Sequence, residues 1–196
     1  MTAPPSEAIT GLVLCGGLGR RMGGVEKALL PWMGGTLLHA VLARLEPQVA
    51  AVALNANRAF DRYAAFGRPI WRDETTAQLG PLAGWLAGLQ RAPTEWLLSV
   101  PCDTPRFPAD LAARLAATVG RAPLAIAATA DGPQPVFALL HRRLAAPLAA
   151  ALALGERGVA RFAHAQGAAV VVFDDAPAFA DADTPDDLAR LQPAAG

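Results

Sequence analysis

The 196-residue chain has little of what several protein classes require. Its two cysteines, Cys15 and Cys102, are too few for a disulfide scaffold. Its three histidines lack the H-x-x-x-H or C-x-x-C spacing of a structural zinc site. The longest apolar run, 144–154, contains Pro147 and is too short to cross a bilayer, and no signal peptide is evident at the N-terminus. We therefore expect a soluble cytoplasmic protein without a membrane partner.

The sequence also lacks an excess of charge of either sign, because 17 Lys and Arg residues balance 17 Asp and Glu residues. No stretch is basic enough to follow a nucleic-acid backbone, so no nucleic-acid partner is expected. Lysine is nearly absent, since 16 of the 17 basic residues are arginine and the remaining one is Lys27. An ammonium group is a compact charge on a flexible stem, which suits phosphate oxygens. The alternative is chance retention of Lys27 in a sequence rich in alanine and arginine.

The distribution of apolar residues predicts the fold class. Apolar residues make up 53% of the sequence, enough for a packed core. Short apolar runs alternate with helical patterns from residue 9 to 128, which predicts a mostly parallel, Rossmann-like sheet with helices on both faces. We expect a single α/β domain over 1–196, with 1–8 flexible and 193–196 a tail. The predicted strands are 9–15, 50–55, 69–71, 96–100, 124–128, 136–140 and 169–173, and the predicted helices are 36–45, 82–91, 110–118, 144–154 and one that follows Thr184.

The first predicted strand opens into a glycine-rich loop, L-C-G-G-L-G-R-R-M-G-G-V-E-K, at 14–27. Ligands of open α/β sheets bind beyond the carboxyl ends of strands. Glycines let backbone N–H groups approach an anion, and Arg20, Arg21 and Lys27 add positive charge. The pattern predicts a polyphosphate site, the alternative being a plain surface loop. It is not a dinucleotide fingerprint, because Met22 replaces the third glycine, and it lacks the G-K-[ST] of a Walker A loop.

Polar residues follow two other predicted strands. Asp103 leaves a buried strand between two prolines, in P-C-D-T-P. Because Mg²⁺ favours one or two carboxylates plus phosphate oxygens, Asp103 is the expected metal ligand, unless it caps a helix that begins near Pro108. Asn55 and Asn57 are the only asparagines, and they would contact a base or ribose or form a turn. The segment G-P-L-A-G at 80–84 starts a helix with little side-chain bulk, against which a flat ring could lie.

Together, L-C-G-G-x-G-x-R-M-G-G-x-x-K, G-P-L-A-G and P-C-D-T-P resemble the motifs of the molybdenum cofactor guanylyltransferases, in the same order, over residues 9–191. The resemblance implies the nucleotide-diphospho-sugar transferase fold. It also implies transfer of GMP from GTP to the terminal phosphate of the molybdopterin cofactor, by Mg²⁺-assisted in-line displacement at the α-phosphorus with release of pyrophosphate. Mn²⁺ is an alternative metal. Transient contact with a molybdoenzyme or its chaperone is a further implied partnership.

The resemblance also implies roles for individual residues. Arg21, Lys27 and Asp103 would be catalytic, with Arg21 and Lys27 on the triphosphate and Asp103 on the metal ion. Gly16, Gly17 and G-P-L-A-G would select guanine. The residues implied to bind GTP are Leu14, Cys15, Gly16, Gly17, Lys27, Asn55, Asp73, Gly80, Pro81, Leu82 and Asp103, and those implied on the acceptor side are Gln134, Pro135, Arg157, Asp181 and Asp183.

The sequence departs from the family pattern at two places. Cys15 stands where alanine is usual, and we expect a buried small side chain there rather than a redox group. The segment D-A-D-T-P at 181–185 replaces the usual N-x-N-T-P and is closer to the cytidylyl-transferring relatives. Asp181 or Asp183 would then bind a second metal ion, contact the pterin, or only favour the N-terminus of the last helix.

The departure at 181–185 keeps two alternative functions open. One is a cytidylyl- or other nucleotidyltransferase that acts on a different phosphate acceptor. The other is a non-catalytic module that delivers a nucleotide or cofactor. Pyrophosphate release separates the second from either enzyme.

Overall fold

The computed structural model describes residues 3–16, 25–74 and 80–191. Strands and helices alternate along this part of the chain. The strands are β1 (Ile9–Leu14), β2 (Pro31–Trp32), β3 (Gly35–Thr36), β4 (Ala51–Asn55), β5 (Ile70–Trp71), β6 (Trp96–Pro101), β7 (Leu124–Thr129), β8 (Gly132–His141) and β9 (Ala169–Val172). The helices are α1 (Leu37–Leu45), α2 (Phe60–Ala64), α3 (Pro81–Arg91), α4 (Leu111–Val119), α5 (Ala145–Ala153), α6 (Val159–Ala165) and α7 (Pro185–Leu191).

Seven of the strands form one central sheet in the order β5-β4-β1-β6-β8-β7-β9, while β2 and β3 form a separate antiparallel pair. Within the sheet, β4, β1 and β6 pair in parallel, as do β4 and β5, and β7 and β9. Strand β8 runs antiparallel to both of its neighbours, β6 and β7. The predicted mostly parallel α/β sheet is therefore confirmed.

Helices cover both faces of the sheet, as predicted. Every residue of β1 is buried, which is typical of a central strand covered on both sides. Apolar residues of α1 and α4 pack on one face, and those of α3, α5 and α6 pack on the other. Helix α3 lies close to the strands because Gly88 has no side chain. A Cβ at Gly88 would lie 2.6 Å from Leu97 Cδ2 and 2.8 Å from Leu12 Cδ2.

Most predicted elements match the observed bounds to within one residue. The exception is β8, which begins four residues before the predicted 136. Helix α5 matches its prediction to within one residue at each end and follows a 3-10 turn at Arg142–Leu144. Three features are absent from the sequence prediction: the short β2–β3 hairpin, α2 and α6. These elements are too short to show a clear hydrophobic period.

Within the segment 1–8 that was expected to be flexible, Ser6–Ala8 forms a 3-10 turn. Across residues 3–16, 25–74 and 80–191, no helix has the length and apolar character needed to cross a membrane.

Candidate active site

The carboxyl ends of β1 and β6 lie side by side, where the strand order reverses. Leu14 of β1 is in register with Pro101 of β6, and Cys102 N donates to Leu14 O at 3.2 Å. On the other side of β1, Cys15 N donates to Asn55 O at 2.8 Å. The segments that follow β1, β4 and β6 therefore leave the sheet together, and this is the position at which open α/β sheets bind ligands.

A cluster of opposite charges lies on the β6 side of this edge, and we call Lys27, Asp103, Asp181 and Asp183 the charge cluster. Lys27 Nζ donates to Asp103 Oδ2 at 3.1 Å and also to Asp183 Oδ1. The side chains of Lys27 and Asp103 are 19% exposed and that of Asp183 is 27% exposed. Ala182 N donates to Asp103 O at 2.9 Å, which fastens the D-A-D-T-P segment beside Asp103.

The structure bears on two residues for which the sequence left a helix-capping role open. Asp103 does not cap a helix, because α4 begins at Leu111 after Asp110 and Asp103 pairs with Lys27. Asp183 likewise contacts Lys27 rather than only favouring the N-terminus of α7. That terminus is capped by a reciprocal pair instead: Asp187 N donates to Thr184 Oγ1 at 3.1 Å, and Thr184 N donates to Asp187 Oδ2 at 2.9 Å.

The charges of the cluster act on one another. Burial lowers the pKa of Lys27, but hydrogen bonds and charge attraction from Asp183 and Asp103 outweigh burial and raise that pKa. Lys27 therefore stays an ammonium at neutral pH. Partial burial raises the pKa of Asp181, and the neighbouring charges of Asp183 and Asp103 raise it further. Asp103 and Asp183 contact the Lys27 ammonium, and Asp181 lies close enough to interact with these charges. Among the described residues the cluster therefore has three carboxylates for one ammonium, a balance that favours a second cation.

The charge cluster fits a magnesium ion that takes some of its ligands from the protein and the others from a substrate. Asp103 and Asp183 supply carboxylate oxygens, the ligands that Mg²⁺ prefers. In the part of the chain that the structure describes, no group of three His, Cys, Asp or Glu side chains is arranged to hold a metal ion. Two carboxylates agree with a cation that takes its other ligands from phosphate and water.

A network of amides lies on the β4 side of the edge, and we call Asn55, Asn57 and Asp73 the amide cluster. Asn55 Nδ2 donates to Trp71 O and to Asp73 Oδ1, both at 2.9 Å. Asn57 Nδ2 donates to Asp73 Oδ2 at 2.8 Å, and Asn57 Oδ1 accepts from Asp73 N at 2.9 Å. Asn57 thus holds both the carboxylate and the backbone of Asp73. The carboxylate of Asp73 and the amide nitrogen of Asn55 therefore have hydrogen-bond partners within this network.

Helix α3 meets the amide cluster at Gly84. A Cβ at Gly84 would lie 2.5 Å from Asn55 Oδ1 and 2.7 Å from Leu14 Cδ2, so any larger residue would displace them. The rest of G-P-L-A-G sets the start of the helix. Gly80 has φ +73°, which favours glycine, while Pro81 is the first helical residue and Leu82 is fully buried. These residues place the start of α3 beside the ends of β1 and β4, and we call the part of the sheet edge between the charge cluster and the amide cluster the crevice.

The remaining predicted residues fall into two groups. Gly17 and Arg21, with the rest of 17–24, lie outside the described residues. Gln134 and Pro135 lie at the amino end of β8, and Gln134 pairs with Ala127 of β7. Because β8 is antiparallel to β6 and β7, that end lies at the same sheet edge as the crevice. Arg157 donates to the carbonyls of Leu152 and Glu156 at the end of α5, at 3.0 and 2.6 Å.

Sequence reasoning missed one set of contacts next to Lys27. Tyr63 Oη donates to Glu26 Oε2 at 2.8 Å, and Arg58 forms an ion pair with Glu26 Oε1. The only available signal was composition, since Tyr63 is the single tyrosine of the chain. Cys15 and Cys102 are buried and unbridged, as a small apolar role for Cys15 requires.

Comparison with known proteins identifies the class. Residues 11–172 match the MobA-like NTP transferase domain family. A protein from Archaeoglobus fulgidus, molybdopterin-guanine dinucleotide biosynthesis protein A, has a similar fold, with a TM-score of 0.78 over 93% of this chain and 96% of that one, at 23% identity. The manganese complex of Rv0371c from Mycobacterium tuberculosis has a TM-score of 0.69 over 95% and 99% of the two chains, at 21% identity. The matched family and the fold are those of nucleotidyltransferases.

Similarity in sequence narrows the class further. The chain is 46% identical to the molybdenum cofactor guanylyltransferase of Methylibium petroleiphilum, and the alignment covers 95% of this chain and 97% of its relative. It is likewise 46% identical to the molybdenum cofactor guanylyltransferase of Bordetella pertussis, over 94% and 96% of the two chains. The chain therefore belongs to the molybdenum cofactor guanylyltransferase family of MobA-like enzymes, and the resemblance inferred from its motifs is confirmed.

Proposed function

We propose that this chain transfers GMP from GTP to the terminal phosphate of the molybdopterin cofactor and releases pyrophosphate. The observation that carries the proposal is the position of the charge cluster and the amide cluster at one sheet edge, joined by the ends of β1, β4 and β6. One cluster suits a triphosphate with its cation, and the other suits a base. The names of the relatives supply the acceptor. A cytoplasmic location is part of the same proposal.

The reaction we propose is an in-line displacement at the α-phosphorus of GTP. The terminal phosphate of the acceptor attacks, and the bond to pyrophosphate breaks. A phosphate nucleophile is already anionic at neutral pH, so no side chain has to remove a proton. Catalysis by this chain then consists of positioning the two substrates and stabilising the charge on the transferring group.

On the phosphate side, Lys27 and Arg21 are proposed to hold the triphosphate. Lys27 stays charged at neutral pH, as the raised pKa requires, and its ammonium would exchange the carboxylates for phosphate oxygens. Asp103 and Asp183 would hold Mg²⁺, or Mn²⁺ as the alternative. When bound, this ion would neutralise negative charge on the phosphates. The manganese complex of Rv0371c supports a divalent cation in this fold.

On the base side, Asn55 and Gly84 are proposed to help select guanine. Both donors of the Asn55 amide are engaged by Trp71 O and Asp73, so its carbonyl oxygen is the atom that faces Gly84. A carbonyl oxygen accepts from N–H donors, which the edge of guanine presents. The backbone of Leu14, Cys15, Gly16 and Gly17 is proposed to complete this side, together with Gly80, Pro81 and Leu82.

The acceptor is proposed to enter at the same sheet edge. Gln134 and Pro135 lie at that edge on β8, and Asp181 lies in the segment that carries Asp183. Arg157 is included by resemblance alone. Transient contact with a molybdoenzyme or its chaperone would follow the reaction, because the product must reach a protein that uses it.

Measuring pyrophosphate release with Mg²⁺ and molybdopterin cofactor tests the proposal, with GTP, CTP and ATP in parallel. We expect release with GTP alone, and none when the acceptor is omitted. Release with CTP instead would contradict guanine selection and indicate that D-A-D-T-P reports the specificity. Silence with all three nucleotides would contradict the proposed acceptor. Replacing Mg²⁺ by Mn²⁺ in the active mixture tests the alternative metal.

A further inference from the structure

Glu26, the residue before Lys27, is held by side chains from a different part of the chain. The side chain of Glu26 is only 9% exposed. One of its carboxylate oxygens accepts from Tyr63 Oη at 2.8 Å, and the other pairs with Arg58. A carboxylate fixed at both oxygens has little rotational freedom, so the backbone that carries it is fixed as well.

The two groups that hold Glu26 come from one short stretch of chain. Arg58 lies in the loop after β4, and Tyr63 lies in α2. Between them, Ala59 turns the chain into α2 with φ +52°, a left-handed conformation that is uncommon for alanine. Tyr63 is fully buried, and burial raises the pKa of its hydroxyl, which therefore remains a donor at neutral pH. The contact is thus made by a side chain that is packed in the core.

Glu26 in turn sets the start of the Lys27 side chain. Glu26 is the N-cap residue of the 3-10 turn Lys27–Leu29, and Leu29 N donates to Glu26 O at 3.0 Å. Ala28 is fully buried, so the backbone is anchored on both sides of Lys27. The Lys27 ammonium must reach its partners through a flexible four-carbon stem, and only the position of its Cα limits where that stem can go.

The loop after β4 also serves the amide cluster. Asn57 holds Asp73 through two hydrogen bonds, and the next residue, Arg58, pairs with Glu26. A stretch of two residues therefore contacts groups on both sides of the crevice. This arrangement ties the position of Lys27 to the same loop that fixes the amide cluster.

We propose that Glu26, held by Tyr63 and Arg58, is a positioning residue that fixes Lys27 for its action on the triphosphate. The inference rests on the proposed function, because it assigns Glu26 a role in the same reaction. We assign Tyr63 and Arg58 no contact with either substrate. They act on the transition state only through the placement of Lys27.

The test compares two variants that each lose one hydroxyl. Tyr63→Phe removes the bond to Glu26, and Thr10→Val removes the 2.7 Å bond between Thr10 and Thr94 at the other end of β1. We expect Tyr63→Phe to lower kcat for pyrophosphate release by about tenfold with little change in KM for GTP. Thr10→Val should lower the melting temperature by about as much as Tyr63→Phe does, but should leave kcat unchanged. Equal kcat values for the two variants would overturn the proposal.

A double-mutant cycle separates positioning from a general structural effect. In the Lys27→Ala background, Tyr63→Phe should cause no further loss of kcat, because the group it positions is gone. The same fractional loss in both backgrounds would contradict the proposal. Glu26→Gln keeps an oxygen for the Tyr63 hydroxyl and should retain more activity than Glu26→Ala at equal stability.

The two proposals fail in different ways. If the wild-type protein binds GTP but releases no pyrophosphate with molybdopterin cofactor, the proposed acceptor is wrong. The placement of Lys27, the single lysine of the chain, is then measured without catalysis, from its side-chain NMR signals in the presence of GTP and Mg²⁺. A change of these signals in Tyr63→Phe but not in Thr10→Val would support the positioning role, and unchanged signals in Tyr63→Phe would overturn it.

Discussion

The charge cluster and the amide cluster lie at the same sheet edge but are built on different principles. The amide cluster is neutral apart from Asp73, its described hydrogen bonds lie between 2.8 and 2.9 Å, and α3 packs against it without space for one added carbon. The charge cluster has three carboxylates around one lysine, all partly open to solvent. The amide cluster is thus closely packed and hydrogen-bonded, whereas the described residues of the charge cluster include more carboxylates than cations.

This difference indicates how each half of the site would act on a nucleotide. A packed, hydrogen-bonded surface discriminates between bases by shape and by leaving donors or acceptors unpaired. A cluster of charged side chains discriminates little between bases but stabilises charge that develops during the reaction. Substitutions on the amide side should therefore change mainly KM and base preference, and substitutions on the charge side should change mainly kcat.

The largest effect is expected for Lys27→Ala. Removal of the ammonium should lower kcat about 10²–10³-fold, the usual loss when one stabilising donor is removed from a transition state. GTP affinity should fall far less, because the Lys27 charge acts mainly in the transition state. Steady-state kinetics with calorimetry of GTP binding checks this. A loss confined to GTP binding would contradict both the role proposed for Lys27 and the expected difference between the charge cluster and the amide cluster. Lys27→Arg is the matched variant that keeps the charge but changes its shape.

Gly84→Ala should have the next largest effect and should act on the amide side. Its Cβ would meet Asn55 Oδ1 at 2.5 Å, so Asn55 must move. We expect a loss of about 1–3 kcal/mol in stability and a rise in KM for GTP, with weaker preference for GTP over CTP. Denaturant unfolding and competition between the two nucleotides measure both.

Gly88→Ala is the control for Gly84→Ala, because it lies one turn later on α3. Its Cβ would meet Leu97 and Leu12 at 2.6 and 2.8 Å, so it should destabilise the protein by a similar amount. It should not alter nucleotide preference. A change of preference in both variants would mean that the position of α3 as a whole, and not Asn55, determines the base.

The smallest effect is expected for Asp181→Asn. The pKa of Asp181 is raised in the folded protein, so its ionised form is disfavoured there relative to the unfolded chain. Removing that charge should stabilise the protein at pH 7 in the absence of divalent cations, by less than about 1 kcal/mol because solvent screens the carboxylates. The gain should vanish below the ordinary pKa of 3.8, where Asp181 is protonated in both states.

Thermal unfolding of the wild type and of Asp181→Asn at pH 7 and at about pH 2.8, well below the ordinary pKa, checks whether the charge of Asp181 is the source of the gain. A gain that persists at the lower pH would show that the charge of Asp181 is not its origin. Salt should reduce the gain at pH 7, since the effect is electrostatic. Asp186→Asn is a suitable control, because Asp186 is exposed on α7 and lies outside the charge cluster.

Much of the fold could be predicted from the sequence because it depends on local patterns. Strand β1 is a short, nearly continuous apolar run, and helix α3 has apolar residues at helical spacing. Asp103 stands between two prolines, and Lys27 ends a glycine-rich segment. These signals are contained within a few residues. They are sufficient to place strands, helices and the edge at which the site lies.

The contacts that the sequence did not reveal join residues far apart in the chain. Glu26 and Tyr63 are 37 residues apart, and Lys27 and Asp183 are 156 residues apart. No periodicity encodes which side chains meet across such distances. For Asp183 the sequence left a metal ligand, a pterin contact and a helix N-terminus open. Thr184 and Asp187 supply the helix cap, and Asp183 pairs with Lys27.

The double ion pair of Lys27 has a consequence for how the site behaves between turnovers. A single lysine serves as an internal counter-ion for Asp103 and Asp183, which would otherwise repel each other across an unfilled edge. If a divalent cation binds Asp103 and Asp183 as proposed, it would replace Lys27 as their counter-ion, and the Lys27 ammonium would then be available to phosphate oxygens. The proposed site would thus exchange one positive charge for another beside the same two carboxylates.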